Sequence, residues 1–410
     1  MHNLVFDKSF FVNNRQKLRE LFLGTAPIVI TANGLLQKNG GEALDFVQDS
    51  SFWYLTGLND PNLILVIDKQ KEYLIVPKYS EIHDFFDGKL SFETVANVSG
   101  IENCLFEDDG WKQLRSRIKK TKHVATLAAN PRFIESYGMY SNPARKNLIE
   151  KIKLINPKIE LLDLRAHLVT MRVIKQDVEI DAIKEAINTT IDTLRPIMKP
   201  ARLDKYDYEY QIEADITSGF RSRGAYGHAF TPIVGSGKNS TIIHSTSNNS
   251  KISNNLPIIL DVGARVGNYS ADISRTVVPG KASKRIKSVV AAVQSAQDHA
   301  LSLLKPGVLL SEYEAEMEHY IGEKLRELGL IKIIEKDNVR QYFPHLVSHY
   351  LGIDVHDVGD YEKPLEANMI VTCEPGIYIP EESIGVRIED DILITADGCE
   401  NLSKRLPRDI

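Results

Sequence analysis

Four acidic residues stand in or beside apolar, strand-forming runs in the C-terminal half of the sequence. Asp261 directly follows Pro257-Ile-Ile-Leu, and Glu374 directly follows Ile370-Val-Thr-Cys. A buried strand should carry no charge without a reason, because an unpaired charge in apolar surroundings is costly. Each run leads through a turn into a second apolar run with another acid, Asp272 or Glu389. The pattern predicts two hairpins that each present a pair of acids.

The first hairpin is expected to span residues 257–278. A turn centred between Val266 and Gly267 would place Asp261 directly opposite Asp272. Directly opposed side chains of an antiparallel pair have Cβ atoms about 5 Å apart, so like charges there destabilise the sheet.

The second hairpin is expected to span residues 369–395 and to turn near 380–383, which places Glu374 opposite Glu389. At an effective dielectric constant of about 20, each facing pair of acids costs about 3 kcal/mol. Four converging carboxylates take up protons or bind cations, and hard divalent ions are the usual solution. Two such pairs predict two metal ions.

A histidine cluster lies between the two hairpins. His345, His349 and His356 fall within 12 positions, which packing alone rarely requires. The three cysteines include no close pair, so the sequence indicates neither a disulfide framework nor a thiolate metal cage. Any metal is therefore expected to bind through oxygen and imidazole.

Composition and charge exclude several classes of protein. The 410 residues are 43% hydrophobic and 26% charged, an ordinary globular mixture. The net charge of -5, with Lys and Arg scattered through both halves, does not suit a nucleic-acid-binding surface. No run approaches the roughly 18 apolar residues of a membrane span, and residues 1–11 lack a secretion signal pattern. We expect a cytoplasmic protein that binds neither nucleic acid nor membrane.

Chain length and a change of pattern indicate two domains. Short β-branched runs alternate with helix-like stretches over residues 1–170, which predicts an α/β N-terminal domain. An amphipathic helix beginning near Met171 opens a second domain over residues 171–410. The expected strands of the first domain are Ile28–Ile30, Leu63–Ile67, Tyr73–Val76, His123–Leu127 and Ile159–Leu164.

In the second domain a unit of two helices and a hairpin occurs twice. Lys199-Pro200 separates the helices of the first copy, and Lys305-Pro306 separates those of the second, 106 residues later. Ser311 and Glu314 have the spacing of a capping box, so the last of these helices is expected to begin at Ser311. The repetition predicts an internal duplication.

The second domain resembles the metal-dependent family that contains aminopeptidase P, prolidase and methionine aminopeptidase. That resemblance implies an α+β pita-bread catalytic domain with pseudo-twofold internal duplication, following the α/β N-terminal domain. The matching segments are Ile233-Val-Gly-Ser-Gly with His244, Leu260-Asp-Val-Gly, Tyr269-Ser-Ala-Asp-Ile-Ser-Arg-Thr, Ser348-His-Tyr-Leu-Gly-Ile-Asp-Val-His-Asp, Thr372-Cys-Glu-Pro-Gly-Ile-Tyr and Arg387-Ile-Glu-Asp-Asp.

Carried over residue by residue, the resemblance implies a site for two divalent metal ions. Asp272 and Glu389 would bridge the two ions. Asp261 would bind one ion, and His349 and Glu374 would bind the other. This oxygen-rich set is typical of manganese, with cobalt, zinc or iron as substitutes.

The resemblance also implies a mechanism. A hydroxide that bridges two metals attacks the scissile carbonyl carbon. Glu374 relays a proton to the leaving nitrogen, His356 donates to the carbonyl oxygen, and His244 helps to orient the leaving group.

Three further residues are expected to bind substrate or to orient the acids. They are His345, Arg387 and Tyr378. Arg387 precedes Glu389 by two positions on an alternating strand, so both side chains face the same side. Leu346 replaces a glycine that often follows the first histidine in the family, which bears on substrate fit.

The first domain helps to choose within the family. Ser51-Phe-Trp-Tyr-Leu-Thr-Gly resembles a strand of the aminopeptidase P N-terminal domain, which methionine aminopeptidases usually lack. The resemblance therefore implies an Xaa-Pro aminopeptidase that acts on peptides with proline at the second position and assembles as a homodimer or homotetramer. Two alternatives stay open: a prolidase-type Xaa-Pro dipeptidase and a catalytically silent peptide-binding module.

Overall fold

The computed structural model describes residues 6–69, 71–128, 134 and 138–410. Backbone contacts divide the described chain into two compact units, Phe6–Met171 and Arg172–Ile410. Within these described ranges, no helix is both long enough and apolar enough to cross a membrane.

A mixed six-stranded sheet forms the centre of the first unit, in the order β4-β3-β2-β1-β5-β6. β1, β2 and β3 pair antiparallel, whereas β4, β5 and β6 each pair parallel to a neighbour. All five predicted strands are present, with ends within two residues of those expected. The strands are β1 Ile28–Thr31, β2 Ile64–Asp68, β3 Lys71–Val76, β4 Cys104–Phe106, β5 His123–Thr126 and β6 Glu160–Asp163.

Helices pack on this sheet and share its core. Trp111, Leu114 and Ile118 of one helix lie in a buried apolar cluster with Val66 and Val124 of the strands. The helices are α1 Lys8–Leu21, α2 Ser50–Thr56, α3 Glu81–Asp87, α4 Phe92–Ser99, α5 Glu107–Ile118, α6 Ala144–Ile155 and α7 Arg165–Val173, in which the division between the units falls.

The segment Ser51–Gly57 forms helix α2, so the expectation of a strand was wrong. The Asp49 side chain accepts a hydrogen bond from the Phe52 backbone N–H at 2.9 Å, which caps the helix. Gly57 ends it with a φ of 72°, in the left-handed region that favours glycine. Residues 51–56 are all buried, and a short apolar run without alternation does not distinguish a buried helix from a buried strand.

The second unit combines long helices with small antiparallel sheets. Each copy of the duplicated unit contributes a three-stranded sheet, β12-β9-β8 in the first and β13-β16-β17 in the second. The strands are β7 Gly227–His228, β8 Ile233–Ser236, β9 Ile258–Val262, β10 Ala264–Val266, β11 Tyr269–Ser270, β12 Ile273–Val277, β13 Ile370–Cys373, β14 Gly376–Ile379, β15 Ile384–Arg387, β16 Asp390–Ile394 and β17 Cys399–Asn401.

Two long helices precede the sheet in each copy, as the repeated pattern predicted. The helices are α8 Asp177–Ile197, α9 Pro200–Leu203, α10 Glu209–Ser222, α11 Lys284–Leu303, α12 Leu310–Glu327 and α13 Lys336–Arg340. The predicted capping box at Ser311 was wrong. α12 begins at Leu310 without a side-chain cap, and the Glu314 carboxylate accepts instead from the backbone N–H groups of Val347 and Ser348.

The first acid-bearing hairpin turns one residue later than expected. Val266 pairs with Tyr269, so Gly267 and Asn268 form the turn, with φ of 55° and 65°. Two successive residues with positive φ are typical of the tight turns that match strand twist. When the centre of the turn shifts by one residue, the pairing partner of every strand residue shifts by two positions.

The predicted pairing of Asp261 with Asp272 was therefore wrong. Asp261 pairs with Ser274, and Asp272 lies just before β12. Because the shift is an even number of residues, both acids keep the same face of the hairpin.

The second acid-bearing hairpin has the predicted register. Cys373 pairs with Asp390 on one side of the acids, and Gly376 pairs with Arg387 on the other. Glu374 and Glu389 occupy the facing positions between these pairs, where the ladder is interrupted. Their backbone N–H groups donate elsewhere, to Val347 O at 2.8 Å and to Ser274 O at 3.0 Å.

Candidate metal centre

The two hairpins bring their acids onto one buried surface. Asp261 is 8% exposed, Asp272 is 5% exposed and Glu389 is 2% exposed. Asp261 belongs to β9, whereas Asp272, Glu374 and Glu389 occupy short gaps at strand ends. At those gaps the backbone does not form the regular hydrogen bonds of a β-sheet, so the side chains of the two hairpins can approach one another.

The His349 imidazole completes this group. Its Nε2 lies 3.5 Å from Asp272 Oδ2 and 3.5 Å from Glu374 Oε1. Ligand atoms of Asp272, His349 and Glu389 all lie within 4.8 Å of one another. Nδ1 donates to the Tyr350 carbonyl oxygen at 3.1 Å, which can only accept. The proton is therefore on Nδ1, and the Nε2 lone pair points toward the acids, as in a metal-binding histidine.

Burial and mutual repulsion disfavour the ionised form of these acids. Desolvation, followed by the neighbouring carboxylate of Asp261, holds the pKa of Asp272 well above its usual range. Desolvation, followed by the facing Glu389, does the same for the pKa of Glu374. For Glu389 the pKa is also raised, by desolvation and then by Asp272. When ionised, these carboxylates repel one another, and a bound cation would offset that repulsion.

A further observation tests whether these residues fit a metal. Asp261 Oδ1 is buried, and among the described residues no group hydrogen-bonds to it. An unpartnered buried carboxylate oxygen is costly, and a divalent cation satisfies it. Carboxylates with one neutral imidazole form a donor set that fits hard divalent cations, so the residues fit a divalent metal site.

Arg387 is the cation in contact with the acids. Its Nη2 lies 2.5 Å from Asp261 Oδ2, and its Nε donates to Ser274 Oγ at 2.8 Å. Ser274 Oγ in turn donates to Glu389 Oε2 at 2.6 Å. Arg387 thus orients one acid directly and another through Ser274.

His345 and Tyr378 stand beside this network. Arg387 Nη1 donates to the Tyr378 hydroxyl at 2.9 Å, and that hydroxyl lies 2.8 Å from His345 Nε2. His345 Nδ1 lies 3.6 Å from Glu374 Oε2. Among the described residues, neither His345 nor Tyr378 lines the cavity above the acids. The structure places both against the acids and Arg387 rather than at the open face.

A cavity of about 310 Å³ opens over the acids. His244 and His356, the two histidines assigned catalytic roles from the sequence, both line it. The rings of His349 and His356 lie 4.4 Å apart at 86°. Desolvation, followed by the imidazoles of His349 and His244, lowers the pKa of His356 to about 4.

The cavity also has apolar walls that the motifs did not reveal. Phe230, Ile243 and Val355 line it together with the acids and Arg387. Ile243 precedes His244, and Val355 precedes His356, so proximity in sequence to these histidines was the available signal for two of the wall residues. Phe230 is adjacent to neither histidine.

Comparison with known proteins identifies the family. The sequence profile of metallopeptidase family M24 matches residues 177–396, and that of the aminopeptidase P N-terminal domain matches residues 11–126. The chain belongs to metallopeptidase family M24. Family M24 enzymes are metal-dependent peptidases, so this chain is a metal-dependent exopeptidase of the aminopeptidase P group.

Relatives agree with this assignment over nearly the whole chain. An Xaa-Pro aminopeptidase of Haemophilus influenzae is 31% identical over 397 residues, covering 91% of this chain and 89% of the relative. The mitochondrial intermediate cleaving peptidase 55 of Arabidopsis thaliana is 26% identical and covers 98% of this chain and 81% of the relative. Relatives of similar identity thus carry different names, and the family alone does not determine the specificity.

Solved structures confirm the predicted fold. Proline aminopeptidase P II from Yersinia pestis superposes with a TM-score of 0.86 at 28% identity, covering 98% of both chains. Aminopeptidase P from E. coli with the inhibitor Pro-Leu gives a TM-score of 0.86 at 26% identity, covering 98% of this chain and 96% of that one. The family and the architecture, an α/β N-terminal domain and a pita-bread catalytic domain, are those expected from the motifs.

Proposed function

We propose that this family M24 peptidase is an Xaa-Pro aminopeptidase, which releases the N-terminal residue from peptides that carry proline at the second position. The observation that carries the proposal is the cavity. Acids, an imidazole and an arginine line one side of it, and Phe230, Ile243 and Val355 supply apolar surface within the same 310 Å³. A proline ring is apolar and rigid and leaves no N–H unpaired at the scissile nitrogen, which suits such a wall.

The residues that would hold two divalent ions are Asp261, Asp272, His349, Glu374 and Glu389. Bound ions supply Lewis acidity toward a water molecule and the peptide carbonyl. Manganese is the metal we propose, because hard oxygen donors outnumber the single imidazole. Burial and mutual repulsion raise the pKa values of Asp272, Glu374 and Glu389, so protons compete with metal ions for these carboxylates.

Glu374 is the residue that we propose moves the proton. Its Oε1 faces His349 Nε2 and its Oε2 faces His345 Nδ1, so the carboxylate bridges the acid cluster and the histidine network. Desolvation, followed by the facing Glu389, raises its pKa, which makes the carboxylate a better proton acceptor than an exposed glutamate. It can accept a proton from water and deliver it to the leaving nitrogen.

His356 and His244 complete the substrate side of the cavity. As lining residues they can donate ring N–H groups to the carbonyl oxygen and to the leaving segment, respectively. Arg387, His345 and Tyr378 keep the acids in place through the hydrogen bonds described above. Of these three residues, Arg387 lines the cavity and can also contact the bound peptide.

The remaining expectations come from two sources. From the family resemblance we propose a homodimer or homotetramer, and from the sequence pattern a cytoplasmic location and domains over residues 1–170 and 171–410. The second candidate function is a prolidase-type dipeptidase, since the cavity would also accept a two-residue Xaa-Pro substrate.

Peptide cleavage after metal removal tests the proposal. The protein is stripped with a chelator, resupplied with Mn²⁺ and incubated with Ala-Pro-Ala, Ala-Pro and Ala-Ala-Ala, and products are identified by mass spectrometry. Metal-dependent release of Ala from Ala-Pro-Ala, with Ala-Ala-Ala intact, is the expected result. Cleavage of Ala-Pro alone would mean prolidase activity. Cleavage of none would favour a peptide-binding module.

A further inference from the structure

The Glu314 side chain forms hydrogen bonds with the backbone of the segment 345–349, which carries His345 and His349. Glu314 belongs to α12 and is 8% exposed. Its Oε2 accepts from the Val347 backbone N–H and its Oε1 from the Ser348 backbone N–H, both at 2.8 Å. One carboxylate thus satisfies two consecutive amides directly before His349.

A second glutamate, Glu318, lies one helical turn later and holds the same segment through Arg340. Glu318 accepts from Arg340 Nε at 2.7 Å and pairs with its Nη2. Arg340 Nη1 donates to the His345 carbonyl oxygen at 2.7 Å. Residues four apart lie on one helix face, so α12 fixes the backbone of residues 345, 347 and 348 from a single side.

A strand holds the same segment from the opposite side. The Glu374 N–H donates to the Val347 carbonyl oxygen at 2.8 Å, and the Thr372 N–H donates to the His349 carbonyl oxygen at 2.9 Å. The segment 345–349 has no regular secondary structure of its own. Its shape, and with it the direction of both imidazoles, therefore depends on the groups on either side.

A buried carboxylate at this place has an energetic cost. Burial raises the pKa of Glu314 to about 7, even though both N–H groups favour the ionised form. An apolar side chain of similar volume would fill the space at lower cost, but it would leave the Val347 and Ser348 amides without an acceptor. The carboxylate is what those two amides require.

We propose that Glu314 is a positioning residue, which holds the segment 345–349 so that His349 and His345 face Glu374 and Asp272. The proposal rests on the proposed function, because the geometry it preserves is that of the metal centre. Glu314 does not line the cavity over the acids, and its hydrogen bonds hold the backbone directly before His349.

Glu314→Gln tests this with little change in volume. Glutamine offers one acceptor and turns an NH2 group toward the second amide. Glu312→Gln is the matched control, since Glu312 lies exposed on the same helix. Hydrogen exchange of the metal-free proteins should be about 10-fold or more faster at Val347 and Ser348 in Glu314→Gln only. Affinity for Mn²⁺ should fall by about 10- to 100-fold in the same variant.

The outcomes separate the two proposals. Faster exchange confined to the segment and weaker Mn²⁺ binding, with unchanged cooperative melting, support the positioning role. Unchanged exchange and unchanged Mn²⁺ affinity overturn it, and so does a Glu314→Gln protein that no longer melts cooperatively, because Glu314 would then serve folding. If the unaltered protein binds no Mn²⁺ and cleaves no peptide, the proposed function fails, and exchange at Val347 and Ser348 still decides the role of Glu314.

Discussion

The first hairpin, β9 to β12, turns tightly at Gly267 and Asn268, whereas the second, β13 to β16, turns through a wider 3-10 segment at Pro380–Glu382. In the first, the two acids are diagonal neighbours on one face, because Asp261 pairs with Ser274. In the second, the acids face each other directly, but the ladder opens around them.

The difference shows two ways of tolerating paired carboxylates in a sheet. The first hairpin offsets the acids by two residues and places Ser274, a hydrogen-bond donor, where a second acid would have stood. The second keeps the acids opposed and sends their backbone N–H groups to Val347 and Ser274. In both arrangements the acids line the same cavity.

Removing one acid from each hairpin should have the largest effect. Asp272→Asn and Glu389→Gln preserve shape but remove a negative ligand, so we expect peptidase activity to fall by at least about 100-fold in both. Asp397→Asn, an exposed acid beyond β16, is the control. Rates with saturating Mn²⁺ measure this. If only one variant lost activity, the two hairpins would not contribute equally to one centre.

Gly263→Ala should damage the first hairpin specifically. A Cβ at this position would lie 1.6 Å from the Ala271 carbonyl oxygen, so the strands must separate between Asp261 and Asp272. We expect a loss of about 3 kcal/mol of unfolding free energy together with weaker metal binding. Gly398→Ala is the control, because its nearest neighbour would be 4.0 Å away. Urea denaturation with and without Mn²⁺ measures both, and equal effects of the two substitutions would contradict the close approach.

In the metal-free protein, the three acids with raised pKa values should contribute more stability as the pH falls. Asp272, Glu374 and Glu389 have raised pKa values in the folded state, so their contribution is full below their unfolded values and is lost as the pH rises through the folded ones. Asp272→Asn should therefore raise the melting temperature of the metal-free protein at pH 8 by at least about 2 °C. Calorimetry at pH 5.5 and pH 8 checks this. A lower melting temperature for the variant at pH 8 would show that the acids do not repel one another.

Turn substitutions should have the smallest effects, with opposite signs in the two hairpins. Gly267→Ala places a side chain at φ 55° and should cost about 1 kcal/mol. Ser383→Gly relieves a non-glycine residue at φ 54° and should gain up to about 1 kcal/mol. Both are read from denaturation midpoints. Effects of the same sign would mean that backbone strain is not what distinguishes the turns.

Much of this centre could be predicted because strand periodicity is robust. An error of one residue in the turn position moved the partner of Asp261 by two, yet the acids kept their shared face. In the second hairpin the apolar runs on both sides of Glu374 and Glu389 fixed the register directly.

Contacts between distant segments could not be predicted in the same way. Glu314 was assigned to a local capping box, but its carboxylate accepts from residues more than thirty positions away. Ser51–Gly57 was expected to be a strand, because nothing in an apolar run reveals that Asp49 and Gly57 will cap it as a helix. The same holds for Phe230, which reaches the cavity only through the tertiary fold.

Equilibrium binding of Mn²⁺ to the metal-free protein tests most directly whether the two hairpins form one metal centre. Dialysis against graded Mn²⁺, followed by metal analysis, is applied to the unaltered chain, Asp272→Asn, Glu389→Gln and Asp397→Asn. We expect two ions per chain for the unaltered protein and for Asp397→Asn, and a loss of affinity for both ions in each of the other two. Unaltered binding in either Asp272→Asn or Glu389→Gln would contradict a centre shared by the two hairpins.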